Sequence, residues 1–146
     1  MKQELQKHMD FTEEEINNYL REMKALVVRK KFKISDKNRE ENVNFIQKYQ
    51  LSEKKQQKML LDLDIADFAY AVDNYKNNNE VLYVFGKIYE LNDWGDYKKV
   101  PVYIKINIIK DDSNKGFCII VSFHQLEKNL KLLFNGNILE GDKNVD

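Results

Sequence analysis

Tyr103 and Lys105 stand two apart in Val102–Ile108, "VYIKINI", and Ser122 and His124 stand two apart in Cys118–His124, "CIIVSFH". A spacing of two puts side chains on one face of a β-strand. Lys87 ends the short run "VFGK" just upstream. On adjacent strands, opposed side chains lie about 5 Å apart, so a phenol, two amines, a hydroxyl and an imidazole can meet. That set suits cutting RNA without a metal. A base must take the 2′-hydroxyl proton, cations must offset charge on the scissile phosphate, and an acid must protonate the leaving 5′-oxygen. Histidine titrates near neutrality and suits either proton role. Lysine supplies charge, and tyrosine can donate a hydrogen bond or stack on a base. The same alternation also fits an ordinary solvated strand face, and pattern alone leaves both readings open.

Other chemistries find no footing. His8 and His124 are far apart and have no Cys or His partner at metal-ligand spacing, so no metal or other cofactor is expected. No Gly-rich phosphate loop and no nucleophile elbow occurs. Cys118 and His124 would share a strand face about 20 Å apart, too far for a dyad. Between Arg21 and Arg39, eight basic residues stand against two acidic ones. That excess of six suits either phosphate contacts or a solvated helix end.

The elements that must position these residues follow in order. Thr12 and Glu15 form a capping box for a helix carrying Ile16, Tyr19, Leu20, Met23 and Leu26 inward. Ser35 or Asp36 caps a second helix with Val43, Ile46 and Tyr49 as its stripe. Ser52 caps a third with Met59, Leu60 and Leu63. A short fourth helical segment opens at Asp64 or Ala66, and Asn74–Glu80 reads as a loop. The apolar period then changes from 3.6 to 2. Three strands follow: Glu80–Leu91, with Gly86 as a bulge or close-approach point, then Val100–Lys110, then Phe117–Gln125. Helices before a meander argue an α+β fold, with N-terminal helices packed on one face of a twisted antiparallel sheet of at least three strands. Val102, Ile104, Ile106 and Ile108 are expected to face the helices, as are Phe117, Ile119, Val121 and Phe123. Residues 1–134 form one domain, helical over about 11–75 and sheet over about 80–134. Residues 135–146 read as a polar tail, frayed or a short strand.

The chain has 24 basic and 24 acidic residues among 146, so bulk charge points to no partner. The single cysteine suits a reducing, cytoplasmic setting. The opening "MKQELQKHMD" has no apolar stretch, so neither a secretory signal nor a membrane partner is expected.

"YVFGK", then "VYIKI", then an apolar strand ending "SFH" resembles the MqsR-type toxins of bacterial type II toxin–antitoxin systems, in a longer branch with an N-terminal helical extension. The resemblance covers roughly residues 24–134 and is densest over 84–124. It implies a RelE-like fold and a metal-independent endoribonuclease that cuts mRNA until a cognate antitoxin binds. It places the strand tyrosine at Tyr103, the lysine two residues on at Lys105, and the basic residue after "SF" at His124. His124 would act as general acid or base, Lys105 and Lys87 would hold the phosphate, and Tyr103 would stack or hydrogen-bond. Ser122 and Tyr70 would contact substrate. Tyr70 stands where shorter members carry a lysine, and Lys87 is the expected substitute for that charge. The loop over Val72–Glu80 also departs from the family's pattern. The alternative is a non-catalytic RNA- or protein-binding domain of the same fold.

Overall fold

A computed structural model describes residues 7–74 and 77–142. Helix α1 (Glu13–Val28) begins where the sequence places its cap. The Thr12 hydroxyl accepts from the Glu15 N–H at 3.1 Å, and the Glu15 carboxylate accepts from the Thr12 N–H at 2.8 Å. Ile16, Leu20, Met23, Leu26 and Val27 form its buried stripe. Helix α2 spans Glu40–Tyr49, and α3 (Glu53–Leu61) is capped by Ser52.

The sheet has six strands: β1 (Lys7–His8), β2 (Phe32–Ile34), β3 (Phe68–Asn74), β4 (Asn77–Asp93), β5 (Asp96–Lys110) and β6 (Gly116–Gln125). Their order is β1-β3-β4-β5-β6-β2. All neighbours are antiparallel except β2 and β6, which run parallel. The helices cover one face. There Val100, Val102, Ile104, Ile106, Phe85 and Phe123 pack with Met23, Val27, Phe45 and Leu60 in the main core. The fold is therefore α+β, with three helices and a mostly antiparallel sheet, as the change of period predicts.

Three expectations about elements need correction. Phe68–Asn74 is a strand, and only Ile65–Asp67 makes a 3-10 turn. Asp64 caps that turn, and the chain then leaves it extended, because Phe68, Ala69, Ala71 and Val72 are buried on both faces of the sheet. Two-sided burial gives a continuous apolar run, which period alone cannot tell from a helix. The second helix starts at Glu40 rather than after Ser35 or Asp36, because Phe32 and Ile34 are drawn into the sheet beside β6. The expected loop at Asn74–Glu80 is largely strand as well. Tyr75 and Lys76 lie outside the described residues, and β4 already begins at Asn77.

The polar tail also carries structure. Ile138–Leu139 (β8) pairs with Leu130–Lys131 (β7) in a small hairpin. Leu130, Leu132 and Leu126 pack with Ala69 and Val84 as a second core on the face away from the helices. Gly86 permits this: a Cβ there would lie 2.5 Å from the Leu130 Cδ2 and 3.0 Å from the Leu139 Cδ1. Gly86 is thus a close-approach point and not a bulge.

Candidate functional site

The site depends on one irregularity in β6. Lys105 pairs with Ser122, but Ile106 pairs with Ile120, so Val121 is an extra residue with no partner on β5. An extra residue reverses the side-chain alternation of everything beyond it. Before the bulge, Cys118 and Ile120 face the core; after it, Phe123 does. The expected alternation, with Phe117, Ile119 and Val121 inward and Cys118 and Ile120 outward, is therefore reversed over that half of the strand. Cys118 is fully buried in the main core, where desolvation pushes its thiol up to about 12. Cys118 and His124 do not share a face.

The bulge leaves Ser122 and His124 on the far face, where the alternation of β5 puts Tyr103 and Lys105. Two cross-strand rows result. One runs Tyr70–Val84–Lys105–Ser122, and in the other Tyr103 lies between Gly86 and His124. The Tyr103 and His124 rings stack with centroids 5.5 Å apart and planes 27° apart. The Lys105 ammonium lies 5.8 Å from the Tyr103 ring centre. Tyr70 lines the same cavity as Tyr103. Burial first, and then Tyr70, holds the Tyr103 phenol well above the ordinary tyrosine range. Tyr103 is therefore a hydrogen-bond donor at neutral pH and not a base.

Lys105 has no carboxylate partner among the described residues. Burial lowers its pKa, and the nearby Arg39 guanidinium lowers it further. An unpaired ammonium on a half-buried face, beside a second cation, is an arrangement that an anion would relieve. Lys7, from β1, adds another cation 4.6 Å above the Tyr70 ring.

His124 is held in one orientation. Its Nδ1 lies 3.0 Å from the Gln125 carbonyl oxygen, which can only accept, so Nδ1 carries a hydrogen. In the neutral ring the lone pair is then on Nε2, which lies 3.5 Å from the Glu41 carboxylate on α2. The ring lines two adjoining cavities. The larger, about 530 Å³, is walled by Lys7, Tyr70, Tyr103, Glu127, Lys128 and Lys131. The smaller, about 300 Å³, adds Glu41, Lys48 and Gln125.

Lys87 does not join this group. It pairs with Val102 on the helix face, and its ammonium bonds the Asp67 carboxylate at 3.1 Å. Asp67 also accepts from the Asp64 N–H at 2.9 Å, closing the cap of the 3-10 turn. Burial raises the pKa of Asp67 in spite of these partners. Lys87 is thus the counter-ion of a buried cap. Its place after Gly86, one residue out of phase with the site, is the physical reason.

Sequence reasoning missed several neighbours of the site. Lys7 and Glu127 come from a two-residue strand and a loop, which carry no periodic signal. Glu41, His124 and Glu127 bring one ligand atom each within 4.8 Å of one another, a nitrogen and two oxygens that could hold a divalent cation. Such an ion would take the His124 Nε2. Asn42 is 1% exposed on the stripe that also carries Phe45 and Tyr49. That polar residue on an apolar stripe was a readable signal. No protein-family model, curated protein or solved structure matches this chain.

Proposed function

We propose that this face is the active site of a toxin-type endoribonuclease that cuts mRNA and is neutralised by a cognate antitoxin. The observation that carries the reading is the convergence of Tyr103, Lys105, Ser122 and His124 on one face, with Lys105 left without a carboxylate among the described residues. The RelE-like assignment belongs to the same proposal. Helices on one face of a mostly antiparallel sheet fit it, while the parallel edge strand β2 and the N-terminal β1 are additions to the expected pattern.

In this reading Nε2 of neutral His124 takes the proton of a ribose 2′-hydroxyl. The 2′-oxygen attacks phosphorus, the bond from phosphorus to the 5′-oxygen breaks, that oxygen takes a proton from solvent water, and the His124 imidazolium returns its proton to solvent. The products are a 2′,3′-cyclic phosphate and a 5′-hydroxyl. Tyr103, kept protonated by its burial, donates to a non-bridging phosphate oxygen. Lys105 offsets the charge gathered there. Tyr70, on the cavity wall, contacts the substrate beside the phosphate, while Ser122, 5% exposed, backs Lys105 from the neighbouring strand. Lys7, above Tyr70, stands in for the charge that the family resemblance leaves missing, in place of Lys87.

The test is cleavage of a single-stranded RNA with EDTA present. Wild type should cut, and His124→Ala and Lys105→Ala should each lose at least about 100-fold, the usual contribution of a proton carrier or charge stabiliser. Cutting that EDTA abolishes and Mn²⁺ restores would move the reading to metal-assisted cleavage through Glu41, His124 and Glu127. The alternative, a non-catalytic RNA- or protein-binding domain, draws on the Glu41 contact that covers Nε2. Harmless high-level expression in bacteria, with no cutting in vitro, would favour it.

A further inference from the structure

We infer that Asn42 is a positioning residue, which locks the β6 bulge and so sets the face on which His124 stands. The inference rests on the proposed role of His124. Strand β2 bonds the outer edge of β6 only as far as the Ile120 carbonyl, which accepts from the Ser35 N–H at 2.9 Å. The chain then leaves the sheet for α2, and the next groups on that edge of β6 have no strand beside them. The Asn42 carboxamide takes the strand's place. Its Nδ2 donates to the Val121 carbonyl at 3.0 Å, and its Oδ1 accepts from the Phe123 N–H at 2.8 Å. The second Nδ2 hydrogen goes to the Ser35 carbonyl at 2.8 Å, where β2 runs out. One side chain thus extends β2 by one peptide equivalent and spans the bulged residue.

These bonds have a directional consequence. An amide is both donor and acceptor, and it fits only a strand that offers a carbonyl and an N–H on the same edge two residues apart. Ironing out the bulge would turn Ser122 and His124 to the other face of the sheet. Asn42 penalises that slip, because it would leave buried polar groups unmatched on both sides. The neighbouring Glu41 touches His124 Nε2, so the same turn of α2 fixes both the backbone and the imidazole.

The experiment is NMR on Asn42→Ala and Asn42→Asp, following the contact between the His124 and Tyr103 rings and the pH titration of His124. RNA cleavage is assayed in parallel. A core variant of similar stability loss, Leu20→Ala, serves as control. Asn42→Asp keeps the volume and the acceptor for the Phe123 N–H but cannot donate to Val121, so it decides the matter should Asn42→Ala not fold. The expected result is a weakened ring contact and an altered titration in the Asn42 variants, both unchanged in Leu20→Ala. In cleavage, kcat should fall about 10- to 100-fold with KM within about 2-fold, as for a catalytic group displaced by about an ångström. A folded Asn42→Asp protein with the wild-type ring contact and titration overturns the inference, whatever its activity. A wild-type protein that fails to cut RNA overturns the functional reading instead, and the NMR result then decides the positioning role by itself.

Discussion

At the scale of single residues, Lys105 separates a structural role from a working one. A surface lysine would gain nothing from its place, and a structural lysine would have an acid beside it. Lys105 has burial and Arg39 against it. Its folded-state pKa lies below the unfolded value, so the charged form is the one the fold penalises. That penalty is fully present below the folded-state pKa and is relieved as pH rises toward the unfolded value of about 10.4. Lys105→Met should therefore stabilise the protein at pH 7, by roughly 0.5–2 kcal/mol, the usual gain on relaxing a functional site. The advantage should shrink by pH 9.5. Urea unfolding at the two pH values measures it, and a Lys105→Met protein less stable than wild type at pH 7 would sink the argument. The residue types were legible in the sequence, since Tyr103, Lys105, Ser122 and His124 do converge. The partners that tune them were not. Glu41, Lys7 and Glu127 reach the site through tertiary packing, which no spacing along the chain encodes.

Among elements, the strands most clearly mark the limit of reading by period. The even positions of β5 face the core as the alternation predicts, and the capping box of α1 forms at Thr12 and Glu15 as their spacing predicts. Strand β6 is apolar on both faces from Phe117 to Val121, so a single extra residue at Val121 reverses which side chains of that half face inward without any change in apolar pattern. Strand β3 reads as helical for a related reason, being buried on both sides. The C-terminal tail reads as frayed or a short strand, and Ile138–Leu139 is that strand; its pairing with Leu130–Lys131 in a hairpin is too short to leave a periodic signal. Gly86 is the element-scale test of that hairpin. A methyl group there meets the ends of the Leu130 and Leu139 side chains, which can swing aside; a branched side chain adds two further carbons to the same crowded spot. Gly86→Ala should cost about 1 kcal/mol and Gly86→Val about 2–3 kcal/mol, in the range for overpacking. Thermal melts read the stability, and in Gly86→Val the amide signals of β7 and β8 should shift while those of α1 stay fixed. Equal stability of the two variants would mean that the hairpin does not depend on this close approach.

Across the whole molecule, the proposed function would divide the labour between the two faces of the sheet, and the lysines on either side make that division measurable. Among the described residues no helix is long and apolar enough to cross a membrane, and the helices are spent on covering one face. On that face Lys87 neutralises Asp67, whose pKa burial raises even with the ammonium 3.1 Å away. Lys87→Met removes the counter-ion from a carboxylate that is 11% exposed. The expected loss is about 1–3 kcal/mol, reduced from the value for a fully buried pair because the lysine itself reaches solvent. The sign with pH follows from Asp67. Its folded-state pKa is already above the unfolded one, and losing Lys87 raises it further, so the ionised form becomes the costly one. The deficit should be largest at pH 7 and narrow as acidification protonates Asp67 in both proteins. RNA cleavage per folded molecule should stay at the wild-type level, because the ammonium points away from Tyr103, Lys105 and His124. The two substitutions are thus opposite in kind: Lys105→Met stabilises and inactivates, and Lys87→Met destabilises and spares activity. Chemical unfolding at pH 5 and pH 7, with cleavage assayed at equal folded concentration, reads both. Loss of cutting in Lys87→Met at full folding would return Lys87 to the site and end the assignment of stability to one face and chemistry to the other.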